Sequence, residues 1–219
     1  MKINFFCIIL FIFVINSTAK SILHLNIGSG KYGGITTVPY EKPFLTFDGY
    51  FVDLEFETFI TSNRSLSFYT RYANYNKSEL LFNKVESKAL YFGIFLNFSD
   101  NFLFQNLFYE YSPKVAYGQE NINWNDELHS ILSTSSPDSI RGKDKLKYLS
   151  IGFRGSIGYR ISIIIIKLSL GPSYDFLLVG DRKILQDTQE GEKVYKLSNP
   201  DYKSRLYIQG NISIGFILF

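Results

Sequence analysis

The sequence predicts an exported all-β chain: an antiparallel up-and-down transmembrane β-barrel of eight strands, with long extracellular loops and short periplasmic turns. Three observations predict it. A leader-like apolar segment opens the chain. Eight later segments alternate apolar and polar residues with period two, the mark of strands with two unlike faces. The connections between them are long and short in strict alternation, starting with long, as a barrel with both termini on one side requires.

The leader comes first. Lys2 gives a positive start, residues 3–15 are apolar apart from Asn4, and Ser17, Thr18 and Ala19 are small. This is the pattern of a secretory signal peptide, with cleavage expected after Ala19. The division is then residues 1–19 as leader and 20–219 as barrel domain. The alternative is an uncleaved anchor, for which the run is short. Cys7, the only cysteine, lies inside the leader. The mature chain is expected to hold no disulfide and no thiolate nucleophile.

The strands follow in order. The first, 22–30, sets Leu23, Leu25 and Ile27 against His24, Asn26 and Gly28. The second, 47–60, sets Tyr50, Val52, Leu54 and Phe56 against Phe51, Asp53, Glu55 and Glu57. The third, 65–75, sets Leu66, Phe68, Thr70 and Tyr72 against Ser67, Tyr69, Arg71 and Ala73. The fourth, 88–98, sets Leu90, Phe92, Ile94 and Leu96 against Tyr91, Gly93, Phe95 and Asn97. The fifth, 102–111, is less regular: Leu103, Gln105, Leu107, Tyr109 and Tyr111 share one face, and Phe104, Asn106, Phe108 and Glu110 the other. The sixth, 148–159, sets Leu149, Ile151, Phe153 and Ile157 against Ser150, Gly152, Arg154, Ser156 and Gly158. The seventh, 162–176, sets Ile164, Ile166, Leu168, Leu170 and Tyr174 against Ile165, Lys167, Ser169, Gly171, Ser173 and Asp175. The eighth, 204–219, sets Leu206, Ile208, Ile212, Ile214, Phe216 and Leu218 against Arg205, Tyr207, Gln209, Asn211 and Ser213.

Short turns are expected at Ser62-Asn63-Arg64, at Ser99-Asp100-Asn101 and near Arg160. Long loops are expected over 31–46, 74–87, 112–147 and 177–203. In the third loop Trp124, Leu128, Ile131 and Leu132 have helical spacing with Asn123 or Asn125 as a cap, which predicts a short helix over the rim. Glu190-Gly191 predicts a hairpin in which strands seven and eight run past the membrane.

Composition agrees. A chain of 219 residues suits one domain. A net charge of +3 gives no case for a nucleic-acid partner. A mean hydropathy of zero excludes a bundle of apolar helices, but not a barrel, in which only alternate residues face lipid. Aromatics gather at strand ends, among them Phe44, Phe47, Phe59, Tyr72, Tyr75, Phe98, Phe102, Tyr109, Tyr111, Tyr148, Tyr159, Tyr174, Phe176 and Tyr202, as interfacial girdles do.

Leu54, Phe68, Ile94, Phe153, Leu168 and Ile212 are therefore expected to face lipid. The inner face carries Asp53, Glu55, Glu57 and Asp175 with Arg71, Arg154, Lys167 and Arg205, and His24 beside them. A ring of eight strands is just wide enough for side chains to fill it, and buried charges persist when paired. The expected outcome is an ion-pair network that plugs the lumen; the alternative is a narrow pore whose selectivity these charges set.

In architecture and in its last residues, Ile212-Ser213-Ile214-Gly215-Phe216-Ile217-Leu218-Phe219, the chain resembles the small outer-membrane barrels of the OmpA/OmpX type over residues 22–219. The resemblance implies a bacterial outer-membrane location, outer-membrane lipid as surroundings, and a terminal Phe read by the barrel-assembly machinery. One departure is visible: Ile212, Ile214 and Phe216 share a parity that excludes Phe219.

The expected role is a monomeric structural or surface-contact protein of adhesion type, its loops meeting a host surface or extracellular ligand. A hydrophobic-molecule channel with a lateral opening is an alternative. Some barrels of this size edit lipid A with a Ser/His/acid group. Here only His24 and His129 qualify, the latter beside Asp126, Glu127 and Ser130, and neighbours in sequence do not face each other on a helix. No enzyme activity, metal or cofactor is expected: no metal-ligand cluster is present, and Gly28-Ser29-Gly30 leads to Pro39 and Pro43 instead of a helix.

Overall fold

The structure is a computed structural model, which describes residues 20–36, 45–80, 83–101, 106–126, 140–188, 191–198 and 202–218. The leader with its expected cleavage after Ala19, His129 and Phe219 lie outside the described residues.

Nine strands follow one another: β1 (Ser21–Thr36), β2 (Leu45–Thr61), β3 (Arg64–Leu80), β4 (Asn83–Asn101), β5 (Leu107–Asp126), β6 (Ile140–Ile161), β7 (Ile164–Thr188), β8 (Gly191–Ser198) and β9 (Tyr202–Ile217). The sheet order is β6-β5-β4-β3-β2-β1-β9-β7, and β6 pairs β7 to close the ring. All pairings are antiparallel. Eight strands thus make an up-and-down barrel. β8 continues the eighth position upward: β7 pairs β9 from Ile164 to Asp175 and β8 from Asp181 to Thr188.

Closure is made by the first and last strands, in a register that sets Leu25 opposite Ile214 and Ile27 opposite Ile212. Beyond the ladder, the Phe59 amide donates to the Lys20 carbonyl and the Leu218 amide to the Ser21 carbonyl. Lys20 and Leu218, where the described barrel starts and stops, therefore meet at the end that carries the tight turns Ser62–Asn63 and Ser162–Ile163. Ser162 has φ of 54°, the left-handed geometry of a tight turn.

The period-two patterns become two faces. Leu54, Ile94, Phe153, Leu168 and Ile212 are exposed on the outer surface, and Phe68 is half-buried there. Asp53, Glu55, Glu57, Arg71, Arg154, Lys167, Asp175, Arg205 and His24 are buried inside. Exposed apolar side chains on this scale make an oily belt, far beyond the scattered apolar residues of a water-facing surface.

Several expectations need correction. The long connections are mostly strand. β5 runs through the expected loop to Asp126, and β6 starts at Ile140. Leu80 already pairs with Asn83, and Thr188 with Gly191. The reason is chemical: above the belt the outward face turns polar, as at Asn121, Asn123, Lys143 and Lys145, while the inward face mixes Glu120 and Asp144 with Ile122 and Leu146, so the apolar-out alternation is lost while the backbone ladder continues. Trp124 to Asp126 are in β5, so a helix does not begin there; residues 127–139 lie outside the described set. The turn expected near Arg160 falls two residues later, and Ser99-Asp100-Asn101 are strand, since β4 reaches Asn101. Tyr75 and Tyr148 are not girdle residues. They share the inward parity of Arg71 and Ser150 and are buried.

Candidate functional site

The interior of the ring is where the chemistry collects. Strand tilt and a two-residue period bring inward side chains to successive levels, which fill with charged groups and rings.

At the turn end Ile22, Phe108 and Ile165 form an apolar floor with Phe59 and Ile217. Just above, Glu57 sits 2.7 Å from Nε2 of His24 and accepts from the Ser65 hydroxyl. Lys167 Nζ donates to Glu57 at 3.3 Å and to Glu110 at 2.9 Å. A cavity of about 150 Å³ opens at this level, bordered by Glu57, Glu110, Lys167 and Arg160.

The next level is built on Arg154. Its guanidinium grips Glu55 with two bonds of 2.7 and 3.0 Å, the planar fork matching the carboxylate. It also reaches Glu110 at 3.3 Å and lies 3.8 Å above the Phe95 ring. Asn26 donates to Glu55 at 3.1 Å. Arg71 repeats the arrangement one level on. It holds Asp53 with two bonds of 2.6 Å, covers the Phe51 ring at 3.8 Å and donates to Gln209.

Arg205 forms the upper level. It bridges Glu120 at 2.7 Å and Asp175 at 3.4 Å, and lies 4.4 Å over the Tyr148 ring. Its guanidinium also donates to the Tyr91 hydroxyl, which in turn donates to Asp175 at 3.0 Å. Arg182 and Asp144 continue the stack towards the far rim, joined by two bonds of 3.1 Å. Arg154, Arg71 and Arg205 are thus each held by a carboxylate and covered by a ring, which combines ion pairing with cation–π attraction.

Glycines make this packing fit. A Cβ at Gly93 would lie 2.5 Å from the Tyr69 ring and 2.6 Å from the Ala116 Cβ, so the ring occupies the space a side chain would need. Inward glycine and inward aromatic are complementary halves of one layer.

All nine inward residues read from the sequence lie inside the ring; eight have an ion-pair partner there, and His24 is hydrogen-bonded to Glu57. Four further lumenal residues do not belong to that set. Glu110 reads on the inward face of strand five, yet nothing in the sequence joins it to the network. Lys114 and Glu120 fall in what reads as loop. Ser213 touches His24 Nδ1 at 3.3 Å only because the ring closes β1 onto β9. The inward rings Phe51, Tyr69, Tyr91 and Phe95 also carry more weight than hydropathy suggests. Lys114 is buried and makes no ion pair among the described residues.

Ser213, His24 and Glu57 lie in the order of a hydroxyl, an imidazole and an acid. The serine and histidine are both buried, however, and the adjacent cavity is lined by Glu57 but by neither of them. Among the described residues no group of three or more His, Cys, Asp or Glu is placed to hold a metal ion. No described helix is long and apolar enough to cross a membrane; the apolar surface here belongs to strands.

A closed eight-stranded antiparallel ring with an apolar exterior and an ionic interior defines a transmembrane β-barrel, and its fold is that of the small outer-membrane barrels. A major outer membrane protein from Thermus thermophilus superposes with a TM-score of 0.57 at 10% identity, over 90% of this chain and 99% of that one. Neisserial surface protein A superposes with a TM-score of 0.54 at 8% identity, over 90% and 97% of the two chains. At such identities the likeness is one of fold. No family model matches the sequence, and no curated protein does either.

Proposed function

We propose that the chain is a bacterial outer-membrane barrel whose lumen is a structural plug and whose extended rim strands serve surface contact. One observation carries the plug: Glu55, Asp53 and the Asp175–Glu120 pair are each gripped by a buried arginine that lies on an aromatic ring, at three successive levels. A conducting pore needs sites that an ion can enter and leave. Buried pairs stacked on rings offer the passing ion no exchangeable partner. Surface contact is supported by β5, β6, β7 and β8, which rise together beyond the apolar belt.

Planar-bilayer recording tests the plug. The refolded chain should show no steady current. Stable openings in the unmodified protein, with an ion preference that changes on Lys167→Glu, would refute the plug and favour a narrow pore.

A further inference from the structure

Above the belt, the outward positions of β6 are Arg141, Lys143, Lys145 and Lys147, all exposed, while Gly142, Asp144, Leu146 and Tyr148 point inward. Four successive outward sites therefore carry cations. Their neighbours on β5 are Asn125, Asn123, Asn121 and Gln119, all uncharged. On the other side Lys143 faces Lys183, and Lys183 faces Lys196. Three ammonium groups thus stand in one row across β6, β7 and β8. Like charges directly opposite destabilise a sheet, so this row calls for an anion from outside.

Neutralisation within the chain is partial. Asp181 lies opposite Lys145, and Glu192 is 3.0 Å from Arg141. Lys143, Lys147, Lys183 and Lys196 make no ion pair among the described residues. The ladder's position indicates what meets it. Below Lys147 the same face continues as Leu149, Ile151 and Phe153, with Phe176 opposite Leu149. The cations begin where the oily belt ends, and at about 3.3 Å per residue they climb roughly 20 Å along the strand. They face sideways from the barrel wall, towards whatever surrounds it in the membrane.

We propose that this ladder binds the phosphorylated headgroup of an anionic outer-leaflet glycolipid, whose sugars rise beside the wall. The lower cations, Lys147 and Lys145, stand at headgroup height, and the row of Lys143, Lys183 and Lys196 meets the anionic sugars above. This rests on the membrane placement proposed above. A soluble polyanion approaching from outside would meet the rim tip first, whereas a neighbouring lipid is in contact with this side face throughout.

The test uses the full mature chain refolded in detergent, with folding verified by its mobility shift on boiling. Native mass spectrometry then counts bound bisphosphorylated lipid A and the same lipid stripped of phosphate. The unmodified barrel should bind the phosphorylated form at least tenfold more tightly. Lys143→Glu/Lys147→Glu, which breaks no ion pair among the described residues, should lose that preference. Lys20→Glu/Arg64→Glu, an equal change of charge at the opposite rim, should keep it. Should the reversal not fold, Lys143→Gln/Lys147→Gln is expected to weaken binding in the same direction. Equal binding of the two lipids, or equal behaviour of the two rims, overturns the proposal. So does displacement of the lipid by a soluble sulfated glycan at equal affinity. An unmodified chain with no mobility shift would instead refute the barrel placement itself.

Discussion

Replacing Arg154 by methionine would put the lumenal network under its most direct strain. The substitution keeps an apolar stem near Phe95 but removes both bonds to Glu55 and the bond to Glu110. Glu55 is 1% exposed and Glu110 3%, so neither carboxylate can turn to bulk water. Removing one partner of a buried pair costs about 3–5 kcal/mol, and loss of the cation from the ring adds about 0.5–2 kcal/mol. Asn26 still donates to Glu55 and Lys167 still serves Glu110, which draws the expected total back to about 3–5 kcal/mol. Urea unfolding in phospholipid vesicles, with the folded fraction read from gel mobility, measures it. Arg154→Met/Glu55→Met should recover most of the loss, because no unpaired charge remains at that position. A single-variant cost below about 1 kcal/mol is what exposed pairs give. That result would show the pair to be solvated and would refute the dry, stacked plug.

Lys114→Met should leave stability unchanged or raise it, since a buried lysine that makes no ion pair among the described residues is exchanged for an apolar side chain of similar length; thermal unfolding in vesicles checks the sign. Gly171→Ala should cost at least about 1–3 kcal/mol, because its methyl would overlap the Phe153 carbonyl, a backbone atom that cannot swing aside. Gly155→Ala meets nothing closer than the Leu170 carbonyl at 3.8 Å and should refold as the parent does; equal costs at the two glycines would contradict the packing described. Spin labels at Leu54, Ile94 and Leu168 should be relaxed by lipid-soluble oxygen and shielded from an aqueous nickel chelate. The reverse pattern would turn the ring inside out.

Much of this is legible in the sequence because one rule, alternation with period two, governs both faces wherever lipid touches the wall. Leu54 out and Glu55 in, or Leu168 out and Lys167 in, follow from parity alone. Where the strands leave the belt that contrast is gone. Asn121 and Asn123 outside against Glu120 and Ile122 inside read as loop, so Lys114 and Glu120 do not show as lumenal charges. Pairing between distant strands is also out of reach. Nothing local to His24 announces Ser213; only the closing register brings them together. The inward rings mislead for another reason. Tyr75 and Tyr148 sit near the upper edge of the belt, where a tyrosine anchors equally well at an interface, and only parity decides between the two.

The joint between β1 and β9 links the first and last strands of the barrel, with Ile22 opposite Ile217. A polypeptide emerging from its N-terminus cannot complete this structure in stages, because its first strand must wait for its last. Until then both margins of the growing sheet carry unsatisfied amides and carbonyls, which hydrocarbon does not tolerate. The strands must therefore be kept from premature association until β9 arrives, and loss of β9 would yield an unsealed sheet instead of a smaller barrel. The seam makes sealing an all-or-none event that waits for β9 to meet β1.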